Sequence, residues 1–185
     1  LYVRLVGEAV AEYRGDAGAA VPDVRVELPV DAHLPHDYVP HERLRLEMYK
    51  KLAAVVDEAQ LADIEAELVD RYGAPPEPAR NLLEVARLRT VARAAGIGDI
   101  SLQGNHVRFG PLELPESQQL RLQRLYPGSI IKHTLNTILV PKPMTARVAG
   151  RPLRDREVLT WAGDVIRSVV MDNVGQAARV ATART

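Results

Sequence analysis

The chain contains no cysteine, which excludes a disulfide framework, a thiolate zinc site and a cysteine nucleophile together. It has no charge excess either, because 24 basic residues balance 24 acidic ones. Dedicated nucleic-acid modules ordinarily carry a basic surplus that displaces condensed counterions, so only a local patch is left to that reading. No apolar run approaches the roughly 20 residues that span a bilayer, and no charged segment followed by an apolar one opens the chain. A soluble, cytoplasmic protein is the expectation. The glycines at 96, 98 and 104 are too widely spaced for a phosphate loop and no helical pattern follows them directly. There is no serine elbow and no internal repeat. Catalysis by paired Asp and Glu side chains leaves no sequence trace, since such pairs meet only in space.

The 185 residues are enough for one well-cored domain that buries about 70% of its unfolded surface. The chain opens on Leu1 inside a helical pattern, and is read as a piece of something larger. Residues 1–14 form an amphipathic helix, 15–23 a linker of small residues, 24–174 the main domain and 175–185 a tail without a core pattern. Val24, Val26, Leu28 and Val30 alternate as a half-buried strand, placed at a sheet edge by Pro29, which has no N–H to donate.

Residues 37–83 organise the rest. From 42 to 56, two apolar stripes predict a helix packed on both sides: Leu46, Tyr49, Ala53 and Val56, then Leu44, Met48, Leu52 and Val55. Asp57 and Gln60 have the spacing of a capping box that starts the next helix. Leu61, Ile64, Leu68 and Tyr72 line its core face, and Gly73 ends it. Asp63, Glu67 and Asp70 fall together on the opposite face. A third helix follows, with Pro78 near its first position and Gly96 after its last, apolar almost all round except for Arg80, Glu84 and Arg87.

Beyond it, Ile100 and Leu102 with Val107 and Phe109 flank Gly104 and Asn105, a two-residue hairpin signal. A short helix covers 116–125. Residues 129–140, rich in β-branched side chains, read as a strand pair or as one strand bent near Asn136. Another amphipathic helix lies within 151–171. The fold class is therefore α+β: a small, largely antiparallel sheet, mainly from 98–140, packed with several helices in a single domain preceded by a linker helix.

Two clusters carry candidate chemistry. His33, His36 and His41 with Asp31 and Asp37 are the one metal-like group, but their spacing matches no usual zinc motif. The competing reading is a solvated loop with Leu34 and Tyr38 turned inward. Asp63, Glu67 and Asp70 are either a solvated helix face or a partner surface, whose carboxylates accept bidentate hydrogen bonds from arginines.

The stretches RLRLEMYKKLA (residues 43–53) and AELVDRYGAPPEPARNLLEVARLR (residues 66–89) resemble the C-terminal domain of bacterial transcription-repair coupling factors. The match spans roughly residues 24–141; its specific elements are Arg45, Leu46, Tyr49 and Lys50, then Glu67 to Gly73, then Pro76, Pro78 and Ala79 before Leu82 and Leu83. Residues 1–10 look like the end of that family's motor region. The resemblance implies the last domain of an ATP-dependent DNA translocase that displaces stalled RNA polymerase and recruits excision repair. In that family the domain folds back on an N-terminal module resembling the excision-repair helicase subunit. It thereby masks the surface that recruits the damage-recognition ATPase. The ATPase motifs are absent here, so the chain is expected to be non-catalytic, with no cofactor and no metal of its own; ATP and Mg belong to the parent motor. Glu67 and Asp70 carry over as the contacts, with Arg71 inside the motif, while Asp63 and Glu65 extend the face by helical spacing. Competing readings are a nucleic-acid module using Arg80, Arg87, Arg89 and Arg93, although strong DNA binding by this chain alone is not expected, and a structural cap on the motor. No membrane partner is expected. After Val140 the chain departs from the family's usual pattern.

Overall fold

A computed structural model describes residues 23–171. The expected helix at 1–14, nearly all of the linker and the tail from 175 lie outside the described residues. Within them the order is β1 (Arg25–Glu27), α1 (Glu42–Ala54), α2 (Glu58–Tyr72), α3 (Glu77–Ala94), β2 (Asp99–Gln103), β3 (His106–Gly110), α4 (Glu116–Leu125), β4 (Ile130–Lys132), a 3-10 turn, β5 (Thr137–Pro141) and α5 (Arg156–Ile166), which widens into a π-helical turn, Arg167–Met171.

The five strands form one sheet ordered β1-β2-β3-β5-β4. β1 pairs parallel to β2, and every other pairing is antiparallel. Because successive side chains alternate between faces, the register sets Val26, Ile100, Phe109, Ile138 and Ile131 in one row across all five strands. That row joins the helices' apolar side chains in the core. Gly104, at φ 59°, makes the tight turn between β2 and β3, so Gln103 pairs with His106 as the hairpin signal requires. Asn136, in the left-handed region at φ 48° and ψ 49°, turns the chain between β4 and β5 and resolves the open choice in favour of two strands.

Two expectations change. The alternation over Val24 to Val30 yields only three paired residues, because the chain leaves the ladder at Leu28. The Val30 N–H turns back to the Leu28 carbonyl, and the Pro29 carbonyl accepts from Asp155 instead of a strand. The helix at 42–56 ends at Ala54 and is not the two-sided strut: Met48, Leu52 and Ala53 are buried, but Leu46 is 49% exposed and Val56 46%. The strut is α3, which buries nine residues, from Ala79 to Ala92. It contacts α1 and α2 as well as α5. Pro78 near its start and Gly96 (φ 77°) past its end bound it as the sequence indicates. Among the described residues no helix is long and apolar enough to cross a membrane.

Candidate protein-interaction site

The acidic helix α2 is fixed at both ends. Its first turn is held by Asp57, whose Oδ1 accepts from the Gln60 N–H at 2.8 Å; the Gln60 amide oxygen in turn accepts from the Val56 N–H at 3.0 Å, one residue earlier than in the usual capping box. At the other end Gly73 (φ 82°) donates to the Val69 carbonyl at 2.9 Å. The Tyr38 hydroxyl donates to the carbonyls of Gly73 at 2.9 Å and Leu68 at 3.3 Å. Tyr38 also meets Tyr72 edge-on, with ring centroids 5.8 Å apart. Leu61, Ile64 and Leu68 are buried as the periodicity predicts.

Each flank of the helix is occupied by ion pairs. Toward α1, the Glu67 carboxylate takes both of its oxygens to Lys51 Nζ, at 2.9 and 3.0 Å. It also lies 3.6 Å from Arg71, one turn on. Toward α3, Arg87 pairs with Glu58 at 3.0 Å, approaches Glu65 at 4.0 Å and bonds Glu84 of its own helix. These neighbours raise the Arg87 pKa further above its ordinary value against a lowering by burial, and a guanidinium so held keeps its charge throughout.

Between the two flanks runs the outward face: Ala59, Ala62, Asp63, Ala66 and Asp70, all exposed, with Val69 47% exposed at its margin. Three alanines make it low, so a partner backbone can approach closely. Asp63 and Asp70 stand two turns apart, about 10 Å along the axis. Neither makes an ion pair with another described residue. The structure thus separates the predicted set: Asp63 and Asp70 point outward unpaired, whereas Glu67 and Arg71 belong to a triad with Lys51. Sequence periodicity missed Lys51, because a single lysine near the end of a neighbouring helix carries no signal of which carboxylate it will meet.

The other candidates are placed as follows. His36 and His41 are exposed, His33 Nδ1 lies 2.8 Å from Asp31 Oδ1, and Leu34 and Tyr38 are buried, the arrangement of a solvated loop. Among the described residues no three His, Asp or Glu side chains are grouped to hold a metal. The arginines of α3 are engaged internally. Arg80 Nε donates to the Pro75 carbonyl at 3.1 Å, Arg93 Nη1 to the Val55 carbonyl at 2.8 Å, Arg87 serves the carboxylates above and Arg89 is buried. No continuous basic face is left on that helix for a phosphate backbone.

A family model described as the TRCF domain matches residues 28–124. A transcription-repair-coupling factor from Mycobacterium tuberculosis is 45% identical over 181 residues, covering 91% of this chain and 15% of that protein. The protein of the same name from Escherichia coli K12 is 36% identical over 125 residues, covering 65% and 11%. The chain therefore spans about a seventh or less of these relatives. A crystal structure of the C-terminal domain of transcription-repair coupling factor superimposes with a TM-score of 0.62 at 18% identity, covering 81% of this chain and 95% of that one, a likeness of fold.

Proposed function

The chain belongs to the TRCF domain family, as the C-terminal domain of a transcription-repair coupling factor, and on that premise we propose that it is a regulatory protein-contact domain. The outward face of α2 is the contact. Asp63 and Asp70 accept hydrogen bonds from arginines on the N-terminal excision-repair-helicase-like module of the same protein, with the Lys51, Glu67 and Arg71 triad as a charged rim. In the closed state this covers the surface that recruits the damage-recognition ATPase. The domain itself is non-catalytic and takes no cofactor.

One observation carries this reading: two outward carboxylates without an ion-pair partner among the described residues on a helix whose other charges are mostly matched. Energetically a latch need be only modest. A closed-to-open ratio of a hundred takes about 2.8 kcal/mol, at roughly 1.4 per tenfold. Two charge-assisted contacts over a low alanine floor are sufficient for that. The test is binding of the damage-recognition ATPase to full-length protein carrying Asp70→Lys, alone and with Asp63→Lys. Binding is expected to be unmasked in both, and more strongly in the double variant. Binding that stays masked in the double variant excludes the latch. Glu67→Lys is the less specific probe, since it also breaks the contact with Lys51.

A further inference from the structure

The segment after β5 is not a loose extension. Residues 143–153 double back as a small hairpin, closed by the Leu153 N–H to the Pro143 carbonyl at 3.0 Å and the Thr145 N–H to the Arg151 carbonyl at 2.9 Å. The Arg151 N–H reaches Thr145 Oγ1 at 3.1 Å, and Met144 bridges to Pro152. Its tip is tightly determined. A Cβ on Gly150 would lie 2.3 Å from the Ala146 carbonyl oxygen, and Ala149 sits at φ 55°, a conformation that costs a non-glycine residue roughly 1–2 kcal/mol. Such strain persists only where surrounding contacts enforce it. The hairpin lies beyond the stretch matched by the family model.

What this finger presents is unusual for a surface of zero net charge. Residues 142–156 hold five cations, Lys142, Arg147, Arg151, Arg154 and Arg156, against one acid, Asp155; at the base, Glu77, Glu84, Glu157 and Asp164 line the same hollow as Arg151, Arg154 and Arg156, so the excess of positive charge lies toward the tip. Arg151 is matched to Glu157 and Arg156 to Glu77. Lys142 at the base and Arg147 at the tip make no ion pair with another described residue within 4.0 Å, and Arg154 makes none either, although its charge and backbone act on the Glu157 carboxylate. Beside Arg147, Val148 is 84% exposed, the most exposed large apolar side chain described, and Met144 is also exposed. A cation next to an unburied apolar side chain at a hairpin tip is the combination that minor-groove binders use, a basic side chain in the groove beside an apolar one at a base step.

We propose that this finger is a contact for double-stranded nucleic acid, independent of the acidic face of α2. Lys142, Arg147 and Arg154 meet backbone phosphates and Val148 enters the minor groove. With only three phosphate contacts the interaction is weak and steeply salt-dependent: each contributes about −0.9 to the slope of log K against log salt, so about −2.7 in all.

The test is fluorescence anisotropy of a short mixed-sequence DNA duplex titrated with the 185-residue chain from about 20 mM salt upward. Arg147→Ala should shallow the slope by about 0.9, whereas Val148→Ser should weaken binding about tenfold at unchanged slope. Arg80→Ala, on α3, should change neither. Thermal melts of the variants serve to show that the fold is kept. Absence of duplex binding at the lowest salt overturns the proposal, as does binding indifferent to both finger substitutions; an acidic protein partner would then be the remaining occupant for the tip.

Discussion

Lys51 Nζ stands 3.0 and 2.9 Å from the two carboxylate oxygens of Glu67, joining α1 to α2 by the very residue that the sequence motif marks as a contact. Both side chains keep substantial exposure, 48% and 27%, so solvent screens the pair and its worth is a fraction of 1 kcal/mol. A double-mutant cycle with Lys51→Met and Glu67→Gln, followed by urea denaturation, should give a coupling of about 0.5 kcal/mol. Zero coupling would show that the pair is not populated in solution, returning Glu67 to the free set with Asp63 and Asp70.

Tyr38 ties the end of α2 to the loop before α1 by donating to two carbonyls. Tyr38→Phe leaves the Gly73 carbonyl without its donor and should cost about 1–2 kcal/mol. The residue also predicts a pH dependence. Burial, and secondarily the neighbouring Tyr72, raise the Tyr38 pKa above its ordinary 10.0. A group raised on folding contributes stability that is complete below its unfolded pKa and is lost as pH climbs through the folded value. Wild type should therefore lose more stability than Tyr38→Phe as the pH rises above about 10. Equal losses would remove Tyr38 as the source.

Gly110 closes β3 where β5 comes nearest: a Cβ there would sit 2.6 Å from Thr137 Cγ2, and Thr137 is buried. Gly110→Ala should destabilise by about 1–3 kcal/mol through overpacking. Thr137→Ser in the same background removes the offending methyl group and should recover part of that loss. If the second substitution makes matters worse by its full independent cost, the clash is not the cause.

How much of this could be seen beforehand differs from one element to the next. The stripe Leu61, Ile64, Leu68 and the terminators Asp57 and Gly73 are local signals, and α2 follows them closely. Gly104 and Asn105 likewise fix a register, because a two-residue turn leaves the flanking strands one pairing. β1 was visible as an alternation, but not its parallel partner: alternation says which side chains share a face, and nothing about a strand more than seventy residues later. Helical spacing marks the acidic residues as sharing a face, yet carries no sign of how that face divides. Whether Glu67 or Asp70 is free depends on where Lys51 and Arg71 arrive, a tertiary fact. The finger at 143–153 had no periodicity to announce it, since its closure rests on backbone contacts and one threonine hydroxyl.

The parallel pairing of β1 with β2 has a mechanical consequence. Arg25, Val26 and Glu27 are the first paired residues of the described chain, and they close against Asp99, Ile100 and Ser101 a loop that contains α1, α2 and α3. Tension arriving along the chain from its N-terminal side is borne first by this three-residue edge, before any helix is loaded. Peeling it would uncouple the sheet from the preceding chain while the contacts among α1, α2 and α3 stay intact, so the acidic face could remain presented under a pull that frees the domain's anchor.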